Sequence, residues 1–262
     1  MTQLGKRLIS SAFLVSLAIY TIFFAPIWFF TVIAEIMIVV ALNEFYSLAA
    51  KKEIVINRFL GLFFGALIPL TTYFELGSLV LVLACLALFV QNFRKNLIHQ
   101  ALISTSVTLL GLVYVAWFFS KVIDLRLTHY GAQWVFYIAL IVKGGDAGAY
   151  FVGKKYGRIK LIEHISPNKS VEGAIGGLAT TVILSMLSSM YLPGVPFYHF
   201  LVLGVLIGVI SQLGDLAESL IKRDAGVKDS GNLPGLGGLL DVMDSLLLTV
   251  PFVYYYVTVL RI

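Results

Sequence analysis

The chain has 262 residues, of which 59% are apolar and only 13% charged, and its mean hydropathy is +0.94. An ordinary soluble domain is roughly 45–50% apolar and about 25% charged, so this composition excludes a soluble enzyme, a disordered chain and a collagen-like fibre, and leaves a polytopic membrane protein. The net charge of +5 does not call for nucleic acid, because a chain dense in spans collects Lys and Arg in its cytoplasmic loops. Cys85 is the single cysteine, which excludes an intramolecular disulfide and a cysteine metal cluster.

Lys6-Arg7 followed by apolar residues begins like a secretory signal. The apolar stretch, however, runs on to Ala50 with only Glu35, Asn43 and Glu44 as strongly polar interruptions, far beyond a signal core. It predicts two helices with a tight turn near Ala25-Pro26. Further runs of about 20 apolar residues each suit one bilayer crossing. They fall near 56–73, 77–92, 101–120, 133–152, 171–192, 198–220 and 242–260, an all-α protein of about nine transmembrane helices.

Lys and Arg give the orientation. With the N-terminus inside, Lys6, Arg7, Lys51, Lys52, Arg58, Arg94, Lys95, Lys154, Lys155, Arg158, Lys160, Lys169, Lys222, Arg223 and Lys228 share one side. Lys121, Arg126 and Arg261 fall on the other, and Lys143 lies inside a span. This asymmetry predicts a cytoplasmic N-terminus and chemistry on the cytoplasmic side. Residues 1–130 read as a scaffold of apolar helices and 131–262 as the catalytic region, because the spans up to about Ile141 are almost purely apolar, whereas from Lys143 onward ionisable groups appear at or inside the cytoplasmic ends of the helices.

Charge inside a membrane costs at least about 2.5–3.5 kcal/mol per group, so four polar clusters are candidates for function. In Lys143-Gly-Gly-Asp146-Ala-Gly148-Ala-Tyr150, the acid and the lysine share a face, as either a site or a self-neutralising seam between helices. Ser166-Pro167-Asn168-Lys169-Ser170 has the form of a helix start with Ser166 as cap and Pro167 in the first turn, a place that attracts phosphate. The basic loop 153–160 before it is equally explained as a topology signal. Asp215, Glu218 and Lys222 line one stripe of a helix, as a site or as a salt-bridge ladder. In the fourth cluster, the glycine-rich run Lys228–Gly238 can present backbone N–H groups to phosphates. It leads to Asp241 and Asp244 on one helical face, and such hard oxygen ligands suit Mg²⁺ held together with a nucleotide. The helix dipole alone would also favour two acids there. His99, His129, His164 and His199 have no ligand spacing.

The combination Ser219-Leu-Ile-Lys222-Arg223, Lys228-Asp229-Ser-Gly231, Leu233-Pro234-Gly235-Leu236-Gly237-Gly238 and Asp241-Val-Met-Asp244 resembles the signature of phosphatidate cytidylyltransferases, also called CDP-diacylglycerol synthases. Gly214-Asp215-Leu-Ala-Glu218, Asp146 with Gly148-Ala149-Tyr150, and Ser166-Pro167-Asn-Lys169-Ser170 with Gly173 match as well. Leu236 stands where the family has His and Val242 where it has Arg, and the Gly231–Pro234 stretch is one residue short. The resemblance implies that CTP and phosphatidate, at a bilayer, give CDP-diacylglycerol and pyrophosphate. It implies that Asp215, Asp241 and Asp244 hold Mg²⁺, with K⁺ as a second cation, and that Lys222 and Arg223 act in catalysis. To substrate binding it assigns Lys169, Ser170, Ser219, Lys228, Asp229, Gly237 and Gly238, with Asp146 and Glu218 orienting lysines. It further implies a bacterial inner membrane location and a homodimer, for which the Gly61–Gly65 and Gly204–Gly208 pairs offer packing surfaces that would serve equally inside one chain. The alternatives are a related CTP-dependent enzyme, such as a CDP-archaeol synthase or a polyprenol kinase, and a secondary transporter. The transporter is disfavoured because the acids crowd one face and the two halves are unlike.

Overall fold

The computed structural model describes residues 3–74, 76–93, 95–192, 194–233 and 237–262. Among these the chain is almost entirely helical, with one small hairpin. Among the described residues, six helices are long and apolar enough to cross a membrane: Ile27–Ala50, Ile98–Arg126, Gly131–Tyr156, Val171–Met190, Phe197–Asp224 and Leu239–Leu260. Three further apolar helices, Ala12–Phe23, Arg58–Leu70 and Gly77–Asn92, are shorter. Large apolar side chains point outward along these helices, as at Val32, Ile36, Leu83, Leu86, Val205 and Val209, while Thr108, Thr181, Ser185 and Thr249 are buried. Lipid solvates the first set, and small polar groups let helices approach and bond to one another's backbone.

The chain forms two compact units, one of residues up to Asp124 with Asp224–Met243, the other of Leu125–Arg223 with Asp244–Ile262. The first contains α1 (Gln3–Phe23), α2 (Ile27–Ala50), α3 (Arg58–Leu70), α4 (Gly77–Asn92) and α5 (Ala101–Gly111). Pro26 separates α1 from α2, because its ring cannot continue a helix from the preceding turn. After α5 the helix widens over Leu112–Trp117 and resumes as α6 (Phe118–Arg126). Ile38, Leu42, Ile68, Leu88 and Leu112 form a sealed core. Within it the Tyr46 hydroxyl donates to the Thr108 carbonyl at 2.9 Å. A Cβ at Gly61 or Gly111 would reach the Tyr46 ring at 2.5 or 2.6 Å, so these glycines are where the phenol fits. Gly65 likewise faces Leu42.

The second unit contains α7 (Gly131–Tyr156), the strands β1 (Lys160–Ile162) and β2 (Ser166–Ser170), α8 (Val171–Leu187), most of α9 (Phe197–Asp224) and the larger part of α10 (Leu239–Leu260). α7 and α8 pack backbone to backbone: a Cβ at Gly177 would lie 3.0 Å from that of Ala149 and 3.1 Å from the Gly145 carbonyl. Such contact recovers the van der Waals energy that lipid cannot supply as a hydrophobic drive. The same stripe of α8 also meets α9: Thr181 donates to the Gly204 carbonyl at 3.0 Å and Ser185 to that of Phe200 at 2.5 Å. Gly204 and Gly208 therefore pack within the chain, as Gly61 and Gly65 do.

One expected boundary is corrected. Ser166 and Pro167 do not start a helix; they lie in β2, antiparallel to β1. α8 begins at Val171, with the Ser170 hydroxyl as its cap accepting the Gly173 N–H at 3.1 Å. The physical reason is that a residue before proline is driven to extended backbone, and here a partner strand was available to pair with it.

Candidate active site

The first unit holds the glycine-rich loop. Asp241, in the first turn of α10, turns its Oδ2 back to accept the Ser230 N–H at 2.8 Å, the Ser230 hydroxyl at 2.8 Å and the Gly238 N–H at 2.6 Å. Gly237 has φ +85, a left-handed conformation that needs glycine, and its carbonyl accepts the Leu233 N–H. Lys228 and Asp229 are exposed at the start of the loop. Leu236, with Pro234 and Gly235, lies outside the described residues, as does Arg94.

Glu44 is the residue that sequence reasoning missed. From α2 its Oε1 accepts the Leu239 N–H at 3.0 Å and its Oε2 the Leu240 N–H at 2.8 Å and the Ser230 hydroxyl at 3.0 Å. The signal in the sequence was a carboxylate in a largely apolar helix, costly there unless partnered, and it was shared with Glu35 on the same helix.

The second unit gathers the other acids. Asp244, on α10, interacts electrostatically with Asp215 on α9 and with Asp146 and Lys143 on α7. The Ser245 hydroxyl lies 3.1 Å from Asp244 Oδ1 and 3.5 Å from Asp146 Oδ1. Lys143 pairs with Asp146 at 3.2 Å, and Lys169, delivered by β2, pairs with Asp215 at 2.8 Å. Both pairs are partly open to solvent, so each lysine can exchange its partner for a phosphate. Close passage of α9 past α10 is possible because residue 214 is glycine, whose Cβ would stand 2.8 Å from the Asp244 carbonyl.

Asp146 and Asp215 face a cavity of about 470 Å³. Tyr150, Lys154, Lys169 and Gln212 also line it, and Gln212 donates to the Ala174 carbonyl at 3.0 Å. A largely apolar cleft with a few convergent charged groups is what a lipid with an anionic head requires. The Ser170 hydroxyl, also on the wall, is already engaged in capping α8.

Further along α9, Glu218 is fully buried and ion-paired with Lys222, which is itself largely buried. One rung of the anticipated ladder therefore forms, but Asp215 is not part of it, since it turns to Lys169. Ser219 is buried and donates to Asp215 Oδ1 at 3.4 Å. The Arg223 Nε–H donates to the Ile165 carbonyl at 3.0 Å, tying α9 to the hairpin. Of the three acids expected at a metal, Asp215 and Asp244 thus lie in one unit and Asp241 in the other with the loop.

Among the described residues, no three His, Cys, Asp or Glu side chains are grouped closely enough to hold a metal by themselves. Mg²⁺ does not need such a cage, because it binds through one or two carboxylates and completes its shell with water and substrate phosphates. Asp215 and Asp244, hard oxygen donors whose like charges repel each other, fit that demand.

Apolar helices with outward apolar faces and an inward set of acids and lysines define an integral membrane protein. The chain belongs to the cytidylyltransferase family, whose pattern matches residues 5–260. It is similar along its length to phosphatidate cytidylyltransferases of Synechocystis, at 34% identity over 97% of both chains, and of Haemophilus influenzae, at 32% over 97% of this chain and 98% of that one. The Bacillus subtilis phosphatidate cytidylyltransferase is 43% identical over 150 residues, 56% of this chain and 55% of the relative.

Proposed function

We propose that this protein transfers the cytidylyl group of CTP to phosphatidate, giving CDP-diacylglycerol and pyrophosphate. The observation that carries this reading is the likeness to phosphatidate cytidylyltransferases over 97% of the chain. The pairing of acids with exchangeable lysines beside a lipid-sized cavity supports it.

In the reaction a phosphate oxygen of phosphatidate forms a bond to the α-phosphorus of CTP, and the bond from that phosphorus to the bridging oxygen of the β-phosphate breaks. Both partners are anionic, so most of the barrier lies in bringing them together. Lys169 and Lys143 leave Asp215 and Asp146 for phosphate oxygens, and Lys222, Arg223 and Lys228 add positive charge along the signature. Asp215 and Asp244 would hold Mg²⁺, and Asp241, one helical turn before Asp244 in the sequence, is the further carboxylate that the resemblance implies. When bound, the ion neutralises phosphate charge and stabilises the leaving pyrophosphate; K⁺ is the candidate for a second cation. Phosphatidate is largely ionised near neutral pH, so the chain needs no strong base. Glu218 keeps Lys222 oriented through their buried pair. The reaction is assigned to an inner membrane with the site facing the cytoplasm; the cytoplasmic supply of CTP, the excess of Lys and Arg on one side of the spans and the likeness to bacterial enzymes support this reading.

The test uses purified protein in detergent with phosphatidate, labelled CTP and Mg²⁺, scoring liponucleotide and pyrophosphate. We expect metal-dependent product that Asp244→Asn abolishes while the variant stays folded. Product from the natural chain also shows that Leu236 and Val242 are tolerated. No product from folded protein overturns the reading and directs the assay to CTP-dependent phosphorylation of lipid alcohols.

A further inference from the structure

We infer that Glu44 is a positioning residue for the two ends of the glycine-rich loop, holding Ser230, Gly231 and Gly238 and the first turn of α10 in their working shape from a helix far away in sequence. The first turn of a helix leaves N–H groups without intrahelical partners. At α10 the N–H groups of Leu239 and Leu240 both end on the Glu44 carboxylate, and those of Ser230 and Gly238 end on Asp241. Two carboxylates at the positive end of the helix dipole are favourable there. They share the Ser230 hydroxyl, 3.0 Å from Glu44 and 2.8 Å from Asp241, so loop, helix start and α2 form one bonded unit.

The glycines supply an independent observation. A Cβ at Gly231 would lie 2.9 Å from the Glu44 carboxyl carbon and 3.0 Å from the Gly238 Cα, and one at Gly238 would lie 2.6 Å from the Gly231 N. Gly231 and Gly238 thus leave a slot between the two ends of the loop, and the Glu44 carboxylate occupies it. The slot admits a flat group with two acceptor oxygens. Glutamine replaces one oxygen with an NH₂ that cannot accept an N–H, and aspartate is one methylene too short.

The consequence for turnover rests on the cytidylyltransfer reading, in which this loop carries Lys228 towards CTP. Glu44→Gln is expected to raise the KM for CTP roughly tenfold, the effect of losing one charge-assisted hydrogen bond, and to leave the KM for phosphatidate unchanged. Loss of folded protein alone would lower kcat and move neither KM, and that result would overturn the inference. Hydrogen exchange of the intact protein reads the position directly. Backbone amides over 238–240 should exchange about tenfold faster in Glu44→Gln, with α3 unchanged. Ser230→Ala, a milder change, should shift the same amides in the same direction if Glu44→Gln folds poorly. Natural exchange rates there in both variants would refute the role of Glu44. If the unaltered protein makes no liponucleotide, the functional reading fails, while exchange still decides whether Glu44 holds the loop.

Discussion

Glu218 and Asp244 are both acids in apolar helices, yet they are satisfied differently. Glu218 is fully buried beside its lysine; removing one member of such a pair leaves an uncompensated charge, at a cost of about 3–5 kcal/mol. Glu218→Gln should therefore lower the detergent melting temperature by several degrees, whereas Asp244→Asn, which relieves repulsion among Asp146, Asp215 and Asp244, should leave it unchanged or raise it. A matched pair of thermal melts distinguishes the two. Activity should run the other way for Asp244→Asn, the usual mark of a residue kept for chemistry at the expense of stability. Lys169 gives a third test: Lys169→Met should leave insertion intact and cut kcat/KM about a hundredfold, since it removes a charge facing substrate phosphates.

Among the elements, the pairing of α7 with α8 sets the geometry of the cavity, because it fixes Asp146 on one wall and carries Ser170 and Lys169 on the approach to the other. The pairing depends on side chains that are absent. Gly177→Val would force at least one methyl group into Ala149 and the Gly145 carbonyl, at an overpacking cost of about 1–3 kcal/mol. A lower melting temperature with loss of activity is expected, whereas Gly194→Ala, strained by its φ of +83 but in an exposed turn with nothing within 4 Å of its Cβ, should lower the melting temperature and leave activity intact. The hairpin before α8 shows how element boundaries escape a local reading. Ser-Pro fits both a helix start and an extended strand, and only the presence of β1 beside it selected the strand.

For the whole molecule, the distribution of Lys and Arg predicts that the loop after α7 faces the cytoplasm and the loop between α6 and α7 faces the other side. Cys85 is the single native thiol, so a Cys85→Ala background permits one introduced cysteine at a time. Lys155→Cys should react with an impermeant maleimide only in inverted vesicles, and Leu127→Cys only in right-side-out ones. The opposite pattern would reverse the orientation.

The all-α membrane architecture, the helix positions and the clustering of acids and lysines in the C-terminal half were legible in the chain itself. Hydrophobic run length and charge spacing are local properties, and a bilayer forces each long apolar run to satisfy its own backbone as a helix. What tertiary structure alone decided was which charges meet. Lys143 and Asp146, three residues apart, were foreseeable as a pair, but the choice of Lys169 by Asp215 depends on where the hairpin delivers its lysine. Glu44 reaches Leu239 across 195 positions, with no spacing rule to announce it. Such contacts arise because a carboxylate in an apolar helix must find donors wherever packing brings them, and packing is a property of the folded chain.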